Sequence, residues 1–207
     1  MAGTKEFCIS PVCDADIAPV CALAREIWMQ HYPGIIAVKQ IEYMLAQRYS
    51  PDAIRTQLHA GAAWWDKLEV RGELCGFASY EQGSEARAMK LDKLYVHQLV
   101  RGKGYGAALI DQAAKVARQQ GMDNLYLQVN KYNHGAVAAY RRSGFAVAKT
   151  VKVDIGNGFF MDDYVMEKNM RSVHGMPLTS DASCESNSPR CTGRATTSSS
   201  SMPPARR

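Results

Sequence analysis

The sequence predicts an α/β domain, in detail an α+β arrangement with a central twisted mixed sheet flanked by helices. Three observations predict it. Along the 207 residues the apolar pattern switches between a helical period and a period of two. Two hairpin-like pairs of strands surround Arg71-Gly72-Glu73 and Gly156-Asn157-Gly158. Both central connections run strand–helix–strand.

The elements follow in order. Phe7-Cys8-Ile9 is a short first strand. Asp14 or Asp16 suits the cap of a helix running through Trp28, with Ile17, Val20, Cys21, Ala24 and Trp28 at helical spacing. His31-Tyr32-Pro33-Gly34 reads as a loop. Lys39 to Tyr49 is a second helix. Ser50 then serves as N-cap and Pro51 as the first residue of a restart that ends near His59. Residues 62–70 and 74–81 form the first hairpin, and 89–96 the next strand. Ala107 to Gln120 is a helix with Leu109, Ala113, Val116 and Ala117 on one face, stopped by Gly121. Residues 124–129 are an apolar strand, and a helix opens at Asn133. Residues 145–155 and 159–168 close the sheet.

Between the strand at 89–96 and its helix lies Val100-Arg101-Gly102-Lys103-Gly104-Tyr105-Gly106. Three glycines in five residues let the backbone turn tightly and let a ligand come close. The amides at this helix start lack helical partners and favour an anion, phosphate above all. The segment is neither a P-loop, which needs Gly-x-x-x-x-Gly-Lys-[Ser/Thr], nor a dinucleotide fingerprint. A second motif follows after one strand, Asn133-His134-Gly135-Ala136-Val137-Ala138-Ala139-Tyr140-Arg141-Arg142-Ser143-Gly144-Phe145. Asn133 suits an N-cap and Gly144 a left-handed C-terminal cap. Ala136, Val137 and Tyr140 share a helical face.

Arg101-x-x-Gly104-x-Gly106 after a Leu-Tyr-Val strand resembles the acetyl-CoA motif of the GNAT superfamily of N-acetyltransferases. The Asn133 to Phe145 segment resembles the Asn-x-x-Ala-x-x-x-Tyr-x-x-x-Gly-Phe element of the same superfamily. The resemblance spans residues 7–170 and is firmest from Lys90 to Phe145. It implies a GNAT domain over 1–171 and a transfer of acetyl from acetyl-CoA to a primary amine.

The resemblance also implies roles. Leu94, Tyr95 and Val96 would pair their backbone with the pantetheine arm. Arg101, Gly102, Gly104, Tyr105 and Gly106 would bind the pyrophosphate, Lys103 would reach a phosphate, and Asn133 would contact the arm. Tyr140 is the expected general acid, because a phenol of pKa about 10 protonates a departing thiolate well. The candidates for the base are Asp92 and Glu81, on strands beside the cleft. Asp92 stands two residues before Leu94 and is expected on the same sheet face. His97 follows the cofactor strand as a possible cleft residue. Tyr32 and Tyr49 flank the helices that shape the acceptor side. Direct attack by the amine is expected, since Cys75 lies on an early strand away from both motifs.

Composition narrows the partners. Hydrophobic residues make up 46% and charged residues 22%, an ordinary globular balance. A net charge of +5 is too mild for the concentrated basic face that nucleic acid requires. No apolar run approaches a membrane span, and Met1 to Phe7 holds no apolar signal core. Cys8, Cys13, Cys21, Cys75, Cys184 and Cys191 include no Cys-x-x-Cys pair, which points to reduced thiols and a cytoplasmic protein. The five histidines show no metal-ligand spacing, so no metal is expected. Residues 172–207, rich in Ser, Thr and Pro, read as a disordered tail. A small-molecule amine is the expected acceptor, and a homodimer is an open option. The rival readings are a protein acetyltransferase acting on lysine or an N-terminus, and a module that binds acetyl-CoA without turnover.

Overall fold

The computed structural model describes residues 6–61 and 63–171. The strands are β1 (Phe7–Pro11), β2 (Ala63–Val70), β3 (Glu73–Gln82), β4 (Ala88–Val96), β5 (Asn124–Asn130), β6 (Ala146–Gly156) and β7 (Phe159–Asn169). They form one sheet in the order β1-β2-β3-β4-β5-β7-β6. The helices are α1 (Ile17–His31), α2 (Val38–Arg48), α3 (Pro51–His59), α4 (Tyr105–Gln119) and α5 (His134–Arg142). The pair β4–β5 is parallel, and the other neighbours are antiparallel. The mixed sheet is therefore as expected. The expected tail at 172–207 lies outside the described residues.

Local chemistry sets the turns. Arg71 (φ 53°) and Gly72 (φ 85°) join β2 to β3, and Asn157 (φ 54°) and Gly158 (φ 74°) join β6 to β7. Two successive left-handed residues match the twist of the flanking strands. Ser50 caps α3 by accepting from the Ala53 N–H at 3.3 Å, with Pro51 at the first helical position. Two helix boundaries differ from expectation by two residues or more. Helix α1 continues to His31 rather than stopping at Trp28, because the Tyr32 N–H still bonds to the Trp28 carbonyl at 3.0 Å. Helix α4 opens at Tyr105 rather than Ala107, directly after left-handed Gly104.

Each face of the sheet carries its own core. On one face Met89, Leu91, Leu125 and Leu127 pack beneath α4 and α5, against Leu109, Ala113 and Val137. On the other, Trp65, Phe77 and Tyr95 pack beneath α1, α2 and α3, against Ile27, Trp28, Ile41 and Ile54. The buried stripes of α1 and α4 recur at three- and four-residue spacing, as burial of one helical face demands.

Gly76 on β3 shows how closely the centre is packed. A Cβ there would stand 2.7 Å from the Tyr95 carbonyl oxygen and 3.2 Å from Leu68 Cδ2. The first neighbour is backbone of β4 and yields only if the strand moves. Gly76→Ala is expected to destabilise the protein by about 1–3 kcal/mol, the usual range for overpacking. Urea denaturation of the variant measures it.

Candidate active site

The parallel pair that centres the sheet is short. Ala88, Met89 and Lys90 of β4 pair with Asn124, Leu125 and Tyr126 of β5. Beyond them the two strands part. From Leu91 onward β4 keeps β3 on one side and leaves its other backbone edge open. An open strand edge is a template for an extended ligand with amide groups. A cavity of about 1000 Å³ runs through this splay, with Leu94, Tyr95 and Val96 on one wall and Gln128, Val129 and Asn130 on the other.

The glycine segment closes one end of the cavity. Gly102 (φ 79°) and Gly104 (φ 86°) are left-handed, and a Cβ at either, or at Gly106, would meet nothing within 4 Å. All three line the cavity. Gly104 is the N-cap of α4 and brings no side chain to it, unlike Ser50 of α3 and Asn133 of α5. The first bond into α4 runs from the Ala108 N–H to the Gly104 carbonyl at 3.0 Å. The amides before it point at an anion site by default. Arg101 folds back, its Nε donating to the Val96 carbonyl at 2.9 Å. Tyr105 lines the cavity, but its ring packs against Phe7 at 5.2 Å between centroids. Lys103 is exposed and does not line the cavity.

Helix α5 brings the second motif to the same opening. Asn133 caps it by accepting from the Ala136 N–H at 3.3 Å. The His31 Nε2–H donates to the same Asn133 oxygen at 3.2 Å, and His31 Nδ1 lies 3.5 Å from Arg101 Nη1. His31 thus ties the end of α1 to the cradle and to α5. Burial holds its imidazole below the ordinary value; the Asn133 bond opposes this and Arg101 adds to it. Tyr140 is half-buried, lines the cavity and sets its ring edge-on to Phe145 at 5.8 Å. Its hydroxyl has no hydrogen-bond partner among the described residues. Burial pushes the phenol above its ordinary range, so it stays protonated at neutral pH.

The two predicted bases fare differently from expectation. The β3–β4 register jumps from Ser79↔Lys93 to Tyr80↔Leu91, which leaves Asp92 as the extra residue of a bulge. The bulge breaks the alternation. Leu91 and Leu94 both pack toward α4, while Asp92 turns to the opposite face and meets Arg48 of α2. Asp92 therefore does not share a face with Leu94. It does line the cavity, but three cations saturate it: Arg48 at 2.7 Å, Lys90 at 2.8 Å and Lys93 at 2.6 Å. Burial alone would raise this carboxyl, yet Lys93, Arg48 and Lys90 hold it far below the carboxylate range. Such a group anchors α2 to β4 and is a very weak base. Glu81 does not line the cavity; it sits 3.4 Å from Lys90 Nζ at the far end of β3.

Other candidates are likewise placed. His97 bonds to Glu26 at 2.9 Å and does not line the cavity. Tyr49 is buried and donates to the Tyr95 hydroxyl at 3.1 Å. Tyr32 lines the cavity, stacked on Trp28 at 4.4 Å. Asp163 of β7 escaped the sequence reading. It lines the cavity at 6% exposure, and its Oδ1 has no hydrogen-bond partner. A signal was present: Met161, Asp163 and Val165 alternate along β7, so an acid occupies the apolar register of a strand. No group of three or more His, Cys, Asp or Glu suited to a metal occurs among the described residues.

A splayed mixed sheet, an uncapped helix start at the splay and a phenol facing it define an acyl-CoA-dependent N-acyltransferase fold. The model of the acetyltransferase (GNAT) family matches residues 23–145, and the chain belongs to that family. A spermidine N(1)-acetyltransferase of Thermoplasma acidophilum is 26% identical over 161 residues, 76% of this chain and 93% of that protein. A streptothricin acetyltransferase of Streptomyces lavendulae is 39% identical over 75 residues, but these span only 36% of this chain and 40% of that protein. Among solved structures, the PaiA N-acetyltransferase of Thermoplasma acidophilum in complex with coenzyme A aligns at a TM-score of 0.67 and 22% identity. The alignment covers 80% of this chain and 99% of that one.

Acetyl-CoA is accordingly the co-substrate. The residues present fit coenzyme A on two counts. The first-turn amides of α4 and the open glycine backbone suit a pyrophosphate, and the unpaired edge of β4 suits an amide-bearing arm. No helix among the described residues is long and apolar enough to cross a membrane.

Proposed function

We propose that this protein acetylates the primary amine of a small-molecule acceptor by direct attack on the thioester. The observation that carries the reading is the continuous cavity. It joins the cradle to a second wall built from Tyr43, Met44 and Arg48 of α2 and Val153, Ile155 and Met161 of the β6–β7 hairpin. Cofactor from one side and acceptor from the other would meet in the splay. A second wall of side chains from α2 and the hairpin, set across one cavity from the glycine segment, favours a small amine over a protein segment. The spermidine and streptothricin specificities of the two relatives fit the same class.

The roles follow from position. Gly102, Gly104 and Gly106 bind the pyrophosphate through backbone amides. The free edge at Leu94 to Val96 holds the arm and polarises the thioester carbonyl, a donor aimed at developing charge. Tyr140 protonates the leaving thiolate. Asn133 positions α5 rather than carrying chemistry, since its side-chain oxygen is already occupied twice. None of the four described cysteines lines the cavity, which supports direct attack over an acetyl-enzyme. The cysteine pattern supports a cytoplasmic location.

The test is an acceptor screen with purified protein and acetyl-CoA, read as free thiol release. The panel holds spermidine, streptothricin, amino acids, and peptides with a free N-terminus or lysine. Release with small amines is the expected result. Release with peptides alone would move the acceptor to proteins. Binding of CoA without release for any amine would leave only a binding module.

A further inference from the structure

Asp163 faces the cavity with no cation bonded to it, whereas Asp92, the other acid in the wall, carries three. We propose that Asp163 binds the ammonium group of the acceptor and takes its proton. This assignment rests on the acetyltransferase reading above.

Its place in the sheet carries the argument. Asp163 pairs in register with Asn130 of β5, four residues beyond Tyr126, where the contact with β4 ends. It therefore stands beside the open part of the splay. Met161, two residues earlier on the same strand face, packs with the α1–α3 core, which puts Asp163 on the acceptor side, across the sheet from α4 and α5. The wall around it is fixed. Tyr43 donates to the Ile155 carbonyl at 2.8 Å, and Gln40 Nε2 donates to the Phe160 carbonyl at 3.0 Å, so α2 and the β6–β7 hairpin hold together. A buried carboxylate oxygen without a donor is costly unless something outside the chain supplies one. An ammonium group supplies up to three.

The charged and titratable groups around it are few. Arg48 approaches from α2, Tyr32 from the end of α1, and Asp162 from its own strand, where Lys131 holds it at 2.7 Å. Burial, and then Asp162, push the Asp163 carboxyl up to about 6, against a smaller pull from Arg48. The group is ionised at pH 7 and basic enough to accept a proton there, the range a general base needs.

The ammonium gives one proton to Asp163 Oδ1. The freed nitrogen lone pair forms the N–C bond at the thioester carbonyl, and the C–S bond breaks with its electron pair on sulfur. The thiolate takes a proton from Tyr140, which regains one from the acylated nitrogen. Asp163 returns its proton to water. The products are the amide, the free thiol and one proton.

Asp163→Asn keeps the shape and removes the charge. Its melting temperature at pH 7 should not fall below the parent's, because a buried charge is lost, and its CoA affinity by calorimetry should match the parent. With spermidine, or the cationic amine that the screen ranks first, kcat/KM should fall by roughly a hundred-fold. The acid limb of the parent pH profile, centred near 6, should vanish. With 2,2,2-trifluoroethylamine, which is already neutral at pH 7, the loss should be far smaller. Asp163→Glu should restore part of the activity. An Asn variant with the parent's rate and pH profile overturns the assignment, as do equal losses for both amines, which mark a merely structural role. A parent enzyme that binds CoA but releases thiol with no amine sinks the transferase reading itself.

Discussion

Gly104→Glu should lose CoA affinity by at least about a hundred-fold while the protein stays folded. Gly104 is left-handed at φ 86° and is the N-cap of α4, in the wall of the cavity. Nothing lies within 4 Å of a Cβ built there, so the variant is not excluded by packing. Its cost to the fold is the left-handed backbone, roughly 1–2 kcal/mol for a residue with a side chain. Its cost to binding is larger. A carboxylate would stand where the phosphates need backbone N–H groups, and each charged hydrogen bond lost is worth about 1.5–3 kcal/mol. Two such bonds at about 1.4 kcal/mol per factor of ten account for the hundred-fold loss. Gly104→Ala separates the two costs, since it carries the strain without the charge and should bind CoA far better than the Glu variant. Calorimetry with CoA reads both. Parent affinity in a folded Glu variant would remove the pyrophosphate from this turn.

What was legible in the sequence is what short-range chemistry decides. The turns at Arg71-Gly72 and Asn157-Gly158, the Ser50 and Asn133 caps and the glycine turn before α4 all appear in the structure where the residues put them. The strands followed from period and turn, and their mixed pairing from the strand–helix–strand connections and the family resemblance. The acid–base groups did not follow, because long-range packing decides them. Asp92 was expected on the Leu94 face by simple alternation, and one extra residue in β4 reverses that. Its partner Arg48 lies 44 positions away, and no local pattern announces the pair. Asp163 left one local signal, an acid in the apolar register of β7, but its place in the cavity wall depends on long-range packing. The helix start at Tyr105 rather than Ala107 is the converse case: Gly106 looks like turn chemistry but sits in the first helical turn, where its missing side chain keeps the cavity open.

Tyr140→Phe should lower the turnover rate by roughly ten- to a thousand-fold, at or below the usual range for losing a general acid. The structure makes this substitution a clean probe. The ring keeps its edge-on contact with Phe145, and the hydroxyl gives up no hydrogen bond among the described residues. Stability and CoA affinity should therefore stay close to the parent. Burial holds the phenol above its ordinary range, so the parent's Tyr140 is protonated across neutral and mildly alkaline pH. Its loss should act as a constant factor there rather than shift the pH profile. That separates it from Asp163, whose removal should erase the limb near pH 6. The loss should fall on kcat more than on KM, since the proton is needed only as the thiolate departs. Single-turnover measurement with the acceptor found by screening keeps product release from masking the chemical step. A core tyrosine without chemistry predicts the opposite pattern, a small loss of melting temperature with the parent's rate. If that pattern is observed, the proton reaches the thiolate from water or from another wall of the cavity, and Tyr140 holds α5 against the sheet.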